Sequence, residues 1–428
     1  MRPRWREARR LRIPCHRASS MSLAGAYPFL ATPALTSGVY VGSDALSGAP
    51  FCFDPWSLYS EGRLTNPNVL LAGVIGQGKS ALAKSLAVRS IAVGRRVYVP
   101  GDPKGEWAAV AQALGGKVIS LGPGMPTRLN PLEIHSTRST SAVAVSAARA
   151  GQLRLLESLC ETTLGRRLYP REHTALDAGL TAATRKGKAA PTIPGVIEAL
   201  LEPDSCAARL DACTVADRLI DGREVSHGLR RLVRGDLAGL FDGPSTDDLD
   251  GTAPIVVLDL SRLGSHDDAI AVAMACTSAW LEGSLTVAGG PRWIVYDEAW
   301  RLLRSLPLVR RMQAQWKLSR AYGVANLLIL HRLSDLDAAG AAGSELRALA
   351  EGLLADCSTR VVYRQESDQV VGVGEGLGLT TTERQLLPGL RRGTGLWKVA
   401  NRSYLVRHHL HPDEVEVFDT DAAMCRAS

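Results

Sequence analysis

The sequence predicts an α/β fold: a mainly parallel central sheet flanked by helices, with an inserted all-α subdomain and a C-terminal β-hairpin. Three observations carry this. Short apolar runs alternate with helical patterns from residue 68 onward, and again beyond residue 246. Regular strand–helix alternation implies parallel strands joined by right-handed crossovers. Between about 138 and 245 the alternation stops and only helical spacing remains. The glycine-rich stretch GVIGQGKSALAKSL, residues 73–86, joins the first buried-looking strand to a helix.

The opening segment MRPRWREARRLRIPCHR holds seven arginines against one glutamate, so of a formal charge of +7 the remaining chain carries only +1. With 42 arginines against 8 lysines, the basic balance reflects composition more than a global pull toward nucleic acid. Residues 1–36 read as a basic, disordered arm, or as sequence upstream of a start at Met21. Eight cysteines lie scattered without a CxxC pair, as in a reduced protein. No apolar run approaches the ~20 residues of a membrane helix. A cytoplasmic protein is expected, able to dock at the inner face of the plasma membrane.

Residues 37–62 read as short strands with Gly and Pro turns, a β cap on the nucleotide-type core. Residues 63–137 form the first half of that core: strand NVLLAG, the glycine loop, a helix over 79–93, strand RRVYVPGD, a helix around EWAAVAQALGG and strand KVISLG. In the insertion, 138–245, Leu153, Leu156, Leu159, Cys160 and Leu164 share one helix face, and Thr192 is placed to cap a helix over Pro194–Leu201. Residues 246–428 resume the sheet with PIVVLDL, RWIVYDE, ANLLIL and STRVVYR. TGLWKVANRSYLVRHHL then makes a hairpin around Asn401 and Arg402, expected at a sheet edge.

Gly73, Gly76, Gly78, Lys79 and Ser80 satisfy G-x-x-x-x-G-K-[ST], which makes the core a P-loop NTPase fold. Backbone N–H groups from Gly73 through Gln77, Gly78, Lys79, Ser80 and Ala81 can face a polyphosphate at the positive end of the helix. Lys79 would reach the β- and γ-phosphates and Ser80 would coordinate magnesium. The expected ligands are ATP and Mg2+.

RWIVYDEAW puts Asp297 and Glu298 directly after an apolar strand, at the carboxyl edge where ligands bind in parallel sheets. Alone, the pair could equally cap the next helix. Beside a phosphate loop, Asp297 reads as the metal-shell acid and Glu298 as the base that takes a proton from water. Asp102, Lys104 and Glu106 in GDPKGEW come after another strand, where spacing does not separate an ordinary polar turn from a functional one. Asp259, ending PIVVLDL, reads as a strand terminus, and Ser265 with Asp268 as a capping box.

These segments, taken with RLNPLE, LAGLFDGPST and QAQWKLSRAYGVANLLIL, resemble the type IV secretion and conjugative-transfer ATPases, the VirB-four-type group of the HerA/FtsK class of ring ATPases. The likeness runs from about 37 to 410. It implies that GDPKGEW lies near the active site, with Asp102 and Glu106 at the nucleotide and Lys104 touching nucleotide or a neighbouring subunit. It implies a homo-hexamer in which an arginine acts from the neighbour: Arg320 in LSRAYG, with Arg332 and Arg360 as alternatives. It further implies membrane-embedded secretion or conjugation channel proteins as partners and DNA or protein as cargo. Where the class usually has a γ-phosphate-sensing glutamine, this chain has His331. Larger relatives carry an N-terminal docking domain, against about 36 residues here before the first strands.

The functional expectation is therefore a magnesium-dependent ATPase motor that energises conjugative transfer or type IV secretion. The alternatives are a HerA/FtsK-like double-stranded DNA translocase and a nucleotide-dependent scaffold that does not hydrolyse. GLRRLVRG, residues 228–235, is the one compact basic cluster in the interior, and on a helix it reads as a solvated face.

Overall fold

The computed structural model describes residues 35–133, 142–186, 190–235, 237–247, 252–264, 266–283, 290–330, 344–366 and 377–418. Eleven strands form one sheet: β1 (Val39–Asp44), β2 (Pro50–Phe53), β3 (Val69–Ala72), β4 (Arg96–Asp102), β5 (Lys117–Ser120), β6 (Ile255–Asp259), β7 (Arg292–Tyr296), β8 (Val324–Leu330), β9 (Thr359–Val362), β10 (Thr394–Val399) and β11 (Arg402–His408). Their order is β2-β1-β11-β10-β9-β3-β8-β7-β4-β6-β5. Pairing is parallel from β9 through β5 and antiparallel from β9 outward through β10, β11, β1 and β2.

The first helices are α1 (Pro55–Ser60), α2 (Lys79–Ala92) and α3 (Ala108–Ala113). Five consecutive helices come next: α4 (Ala142–Leu164), α5 (Pro170–Lys186), α6 (Ile193–Leu201), α7 (Ser205–Leu210) and α8 (Val215–Val233). The remainder are α9 (Asp267–Gly283), α10 (Trp300–Leu303), α11 (Leu306–Leu318), α12 (Glu345–Ala355), α13 (Thr381–Leu386) and α14 (Pro412–Phe418). No helix among the described residues is long and apolar enough to cross a membrane.

The strands nearest the site are mostly apolar because both faces are covered, the exceptions being the buried Arg292 on β7 and Asn326 on β8. Every residue of β3, β7 and β8 is buried. Their side chains alternate between two cores, as strand geometry requires. On β3, Leu70 and Ala72 join the core shared with α4, α5, α8 and α9, while Val69 and Leu71 join the core built on α2, α3, β1 and β2. Burial of Leu156, Leu159 and Cys160, with Leu153 and Leu164 packed alongside, matches the face expected of α4. Thr192 caps α6 through a bond from the Gly195 amide.

The β10–β11 hairpin differs from its expected place. It lies between β9 and β1 inside the sheet, not at an edge. The reason is that β1 pairs with β11 and β2 with β1, so the segment read as a cap extends the sheet past the hairpin. Phe51 and Phe53 pack edge-to-face on Trp397 across that junction, at centroid separations of 5.0 and 5.3 Å.

Helix α2 is fastened at its far end. Arg89 donates to both Glu414 carboxylate oxygens (2.8 and 2.5 Å) and to the carbonyls of Tyr40 and His409 (2.6 Å each), while Ser85 also reaches Glu414 (3.0 Å).

Candidate nucleotide site

The phosphate loop occupies residues 73–78 between β3 and α2. Gly78 caps the helix in a left-handed conformation (φ 99°) and Gly76 is also left-handed (φ 79°), backbone that favours glycine. Gly73 is required for a different reason: a Cβ there would sit 2.5 Å from the Tyr363 Cβ. Lys79 is buried, and its ammonium donates to the carbonyls of Gly73 (2.6 Å) and Val74 (2.9 Å), which keeps it over the loop. Ser80 and Ala81 come next in the first helical turn, half-buried.

Parallel strands collect the acids at the same edge. β7 lies two strands from β3, about 10 Å away at the usual spacing. Asp297 and Glu298 immediately follow β7, and Asp102 ends β4 beside it. Asp297 is nearly buried; its Oδ2 accepts the Trp107 indole (3.0 Å) and its Oδ1 the Glu298 amide (3.0 Å). Burial pushes its carboxyl above the usual range, the Trp107 bond opposes this, and the neighbouring Glu298 charge adds to it.

Glu298 is buried and adopts a left-handed backbone, φ 54°. A non-glycine residue held there costs on the order of 1 kcal/mol or more, strain that concentrates at functional sites. Its Oε1 is ion-paired with Lys104, and its Oε2 accepts the Trp300 indole (2.6 Å). Desolvation works against the charge of Lys104, but the Glu298 bond and the charges of Glu298, Asp297 and Glu106 outweigh it and raise its pKa.

Asp102 caps the turn into α3, accepting the amides of Glu106 (3.1 Å) and Trp107 (2.7 Å). Burial lifts its pKa to about 6 despite those bonds, with Asp297 and Asp259 adding like charge. Glu106 bonds Lys84, a buried lysine on α2 (3.3 Å). GDPKGEW is thus interlocked with both the phosphate-loop helix and the acid pair, which goes beyond an ordinary polar turn.

The other candidates fall elsewhere. Arg320 is exposed in a 3-10 turn that precedes β8, at the amino edge of the sheet. β8 has seven residues, about 23 Å, so Arg320 is remote from the site of its own chain. Arg360 is on β9 and donates to the Leu377 carbonyl (2.7 Å). Asp259 accepts Ser120 and the Ser261 amide, the terminating role expected of it. His331, Arg332 and Ser265 lie outside the described residues. On α8, Leu229 and Leu232 are buried and Arg231 bonds the Thr163 carbonyl (2.8 Å), so GLRRLVRG is an amphipathic helix end.

Sequence reasoning missed four sets of residues. Trp107, Trp300 and Lys84, which hold the carboxylates, are three of them. The fourth set flanks the phosphate loop from the β9–β10 side: the Val74 amide donates to the Arg364 carbonyl (3.1 Å) and the Gly393 amide to the Gln77 carbonyl (3.0 Å). Arg364, Arg391 and Arg392 on these two segments are exposed and make no ion pair with a described residue. The Trp in GDPKGEW and the RRG before β10 were the available signals.

Comparison with solved structures places the fold. VirB4 of Thermoanaerobacter pseudethanolicus superimposes with a TM-score of 0.69 at 22% identity, covering 90% of this chain and all of that one (100%). The bacterial conjugative coupling protein TrwB does so in its complex with the ATP analogue ADPNP (TM-score 0.56, 15% identity, 90% of this chain and 92% of that one). TrwB with ADP and Mg2+ matches similarly (TM-score 0.55, 15% identity, 89% and 96%). The fold is that of VirB4 and TrwB. No protein-family model matches the sequence, and no curated protein resembles it closely enough to count as a match. At these identities the VirB4/TrwB likeness speaks for the P-loop fold, and the chemistry of the site rests on the residues themselves.

Proposed function

We propose that this chain is a magnesium-dependent ATP hydrolase, a ring-forming motor that energises conjugative transfer or type IV secretion. The observation that carries the reading is the convergence of a phosphate loop and a buried Asp297–Glu298 pair at one sheet edge. The same fold binds ADPNP, and ADP with Mg2+, in TrwB.

The residues fit the implied cation. Among the described residues no group of three or more His, Cys, Asp or Glu could hold a metal alone. Mg2+ takes few protein donors and completes its shell with water and substrate phosphate, so the Ser80 hydroxyl and the Asp297 carboxylate suffice. Desolvation disfavours the Asp297 charge, and a cation beside it would favour that charge. Bound there, Mg2+ would screen the phosphate charge.

The loop amides from Gly73 to Ala81 cradle the phosphates, and Lys79 supplies a point charge at the β- and γ-oxygens. Arg364, Arg391 and Arg392 add positive field beside the loop. Glu298 takes the proton of an attacking water, with Trp300 fixing one of its oxygens. Arg320, at the opposite edge, serves the site of a neighbouring copy, where it neutralises charge developing on the γ-phosphate. The motor works on the cytoplasmic side of the membrane, against channel proteins, with DNA or protein as cargo.

The test is magnesium-dependent ATP turnover of wild type, Lys79→Ala and Glu298→Gln, with native mass in the presence of nucleotide. Both variants should lose turnover by at least about 100-fold. Mixing Lys79→Ala with Arg320→Ala protomers should restore part of it if sites are shared. Assembled wild type without turnover would leave the scaffold reading. Several-fold stimulation by duplex DNA would favour the DNA translocase.

A further inference from the structure

Lys104 stands on a rigid turn and carries its charge on a long, rotatable side chain. Asp102 caps that turn, Gly105 completes it in a left-handed conformation (φ 70°), and α3 begins shortly after. The Lys104 side chain itself is half exposed, whereas its partner Glu298 is buried. Both Glu298 oxygens are engaged, one by the Lys104 ammonium and the other by the Trp300 indole. A carboxylate oxygen ion-paired with an ammonium is a weaker proton acceptor, because the neighbouring positive charge stabilises the ionised form, so the pair holds the base back. Glu298 is buried and kept by the Trp300 indole, whereas the Lys104 side chain is half exposed and rotatable, so release comes from the lysine side.

Among the described residues, the charges that act on Lys104 are anionic: Glu298 first, then Asp297 and Glu106. A terminal phosphate delivered to the loop brings a more highly charged acceptor to the same edge, and charge-assisted bonds to phosphate are among the strongest a lysine makes. We propose that Lys104 exchanges Glu298 for the terminal phosphate of a bound nucleoside triphosphate, so that arrival of the third phosphate frees the base. Lys104 is then a positioning residue that separates triphosphate from diphosphate. A diphosphate offers no such acceptor and leaves Lys104 on Glu298. This rests on the reading of the site as a nucleotide site with Glu298 as its base.

The experiment is a double-mutant cycle on binding, with no turnover involved. Affinities for a non-hydrolysable ATP analogue and for ADP, each with Mg2+, are measured for wild type, Lys104→Ala, Glu298→Gln and the double variant, after thermal melts confirm that each folds. Glu298→Gln should tighten the analogue by about tenfold, because Lys104 no longer has to leave a carboxylate, and should leave ADP unchanged. In the Lys104→Ala background that gain should vanish, and Lys104→Ala alone should weaken the analogue more than ADP. The exchange is overturned if Glu298→Gln shifts analogue affinity by the same factor with and without Lys104, or if Lys104→Ala affects both nucleotides equally. Wild type that binds neither nucleotide would instead refute the nucleotide reading itself.

Discussion

Trp107→Phe tests how the GDPKGEW segment controls the acid pair. Trp107 is fully buried between two carboxylates: its amide donates to Asp102 (2.7 Å) and its indole to Asp297 (3.0 Å). Phenylalanine keeps the amide bond and an aromatic ring but removes the indole donor. A hydrogen bond to a charged group contributes about 1.5–3 kcal/mol, and the smaller ring loses on the order of 1 kcal/mol of packing. A loss of roughly 3 kcal/mol is expected in urea denaturation. The functional effect is separable. The Trp107 bond is the main influence holding the Asp297 pKa down against burial, so with Asp297 in the proposed metal role its removal should let the proton compete better with magnesium. One further pKa unit, about 1.4 kcal/mol, makes Asp297 up to tenfold harder to ionise. The Mg2+ concentration needed for half-maximal binding of a fluorescent ATP analogue should rise by up to about tenfold at neutral pH, and the deficit should shrink as pH rises. An unchanged Mg2+ requirement in a folded variant would mean that Trp107 only packs, and the link between this turn and the metal site would fall.

The same edge yields two more expectations. Gly73→Ala forces the new Cβ to within 2.5 Å of the Tyr363 Cβ, so β9 or the loop must shift; a loss of about 1–3 kcal/mol in denaturation and at least tenfold weaker nucleotide binding are expected. Asp102 has a folded pKa of about 6 against a reference of 3.8. A raised folded pKa makes its contribution to stability fully present below the unfolded value and lost as pH rises through the folded one, by at most about 3 kcal/mol. Wild type should therefore lose stability relative to Asp102→Asn between pH values of about 4 and 7, measured by parallel urea titrations.

Much of the fold was legible because its signals are local. The residues of β3, β7 and β8 are nearly all apolar because both faces of each strand are buried. The loop residues Gly76 and Gly78 reflect backbone torsions read directly from residue type. The acid pair was visible because it directly follows a buried strand. Strand order is not local, and the expected edge position of β10–β11 failed for that reason: an antiparallel hairpin looks the same in sequence whether it ends a sheet or lies within it.

By itself the sequence determined the P-loop, the parallel core around it, the helical insertion, and the candidacy of Lys79, Ser80, Asp297 and Glu298, since each depends on residues close together in the chain. Only the tertiary structure decided what surrounds them. Crossover connections bring residues 190 positions apart, Trp107 and Asp297, into hydrogen bonding. They set Lys104 on Glu298 and Lys84 beside Glu106. The direction of β8 places Arg320 at the far edge of the sheet from its own phosphate loop. The physical reason is that strand pairing, not chain proximity, chooses which charges share a low-dielectric edge, and it is those pairings that shift the Asp297 pKa, set Lys104 on Glu298 and keep Arg320 away from the phosphate loop.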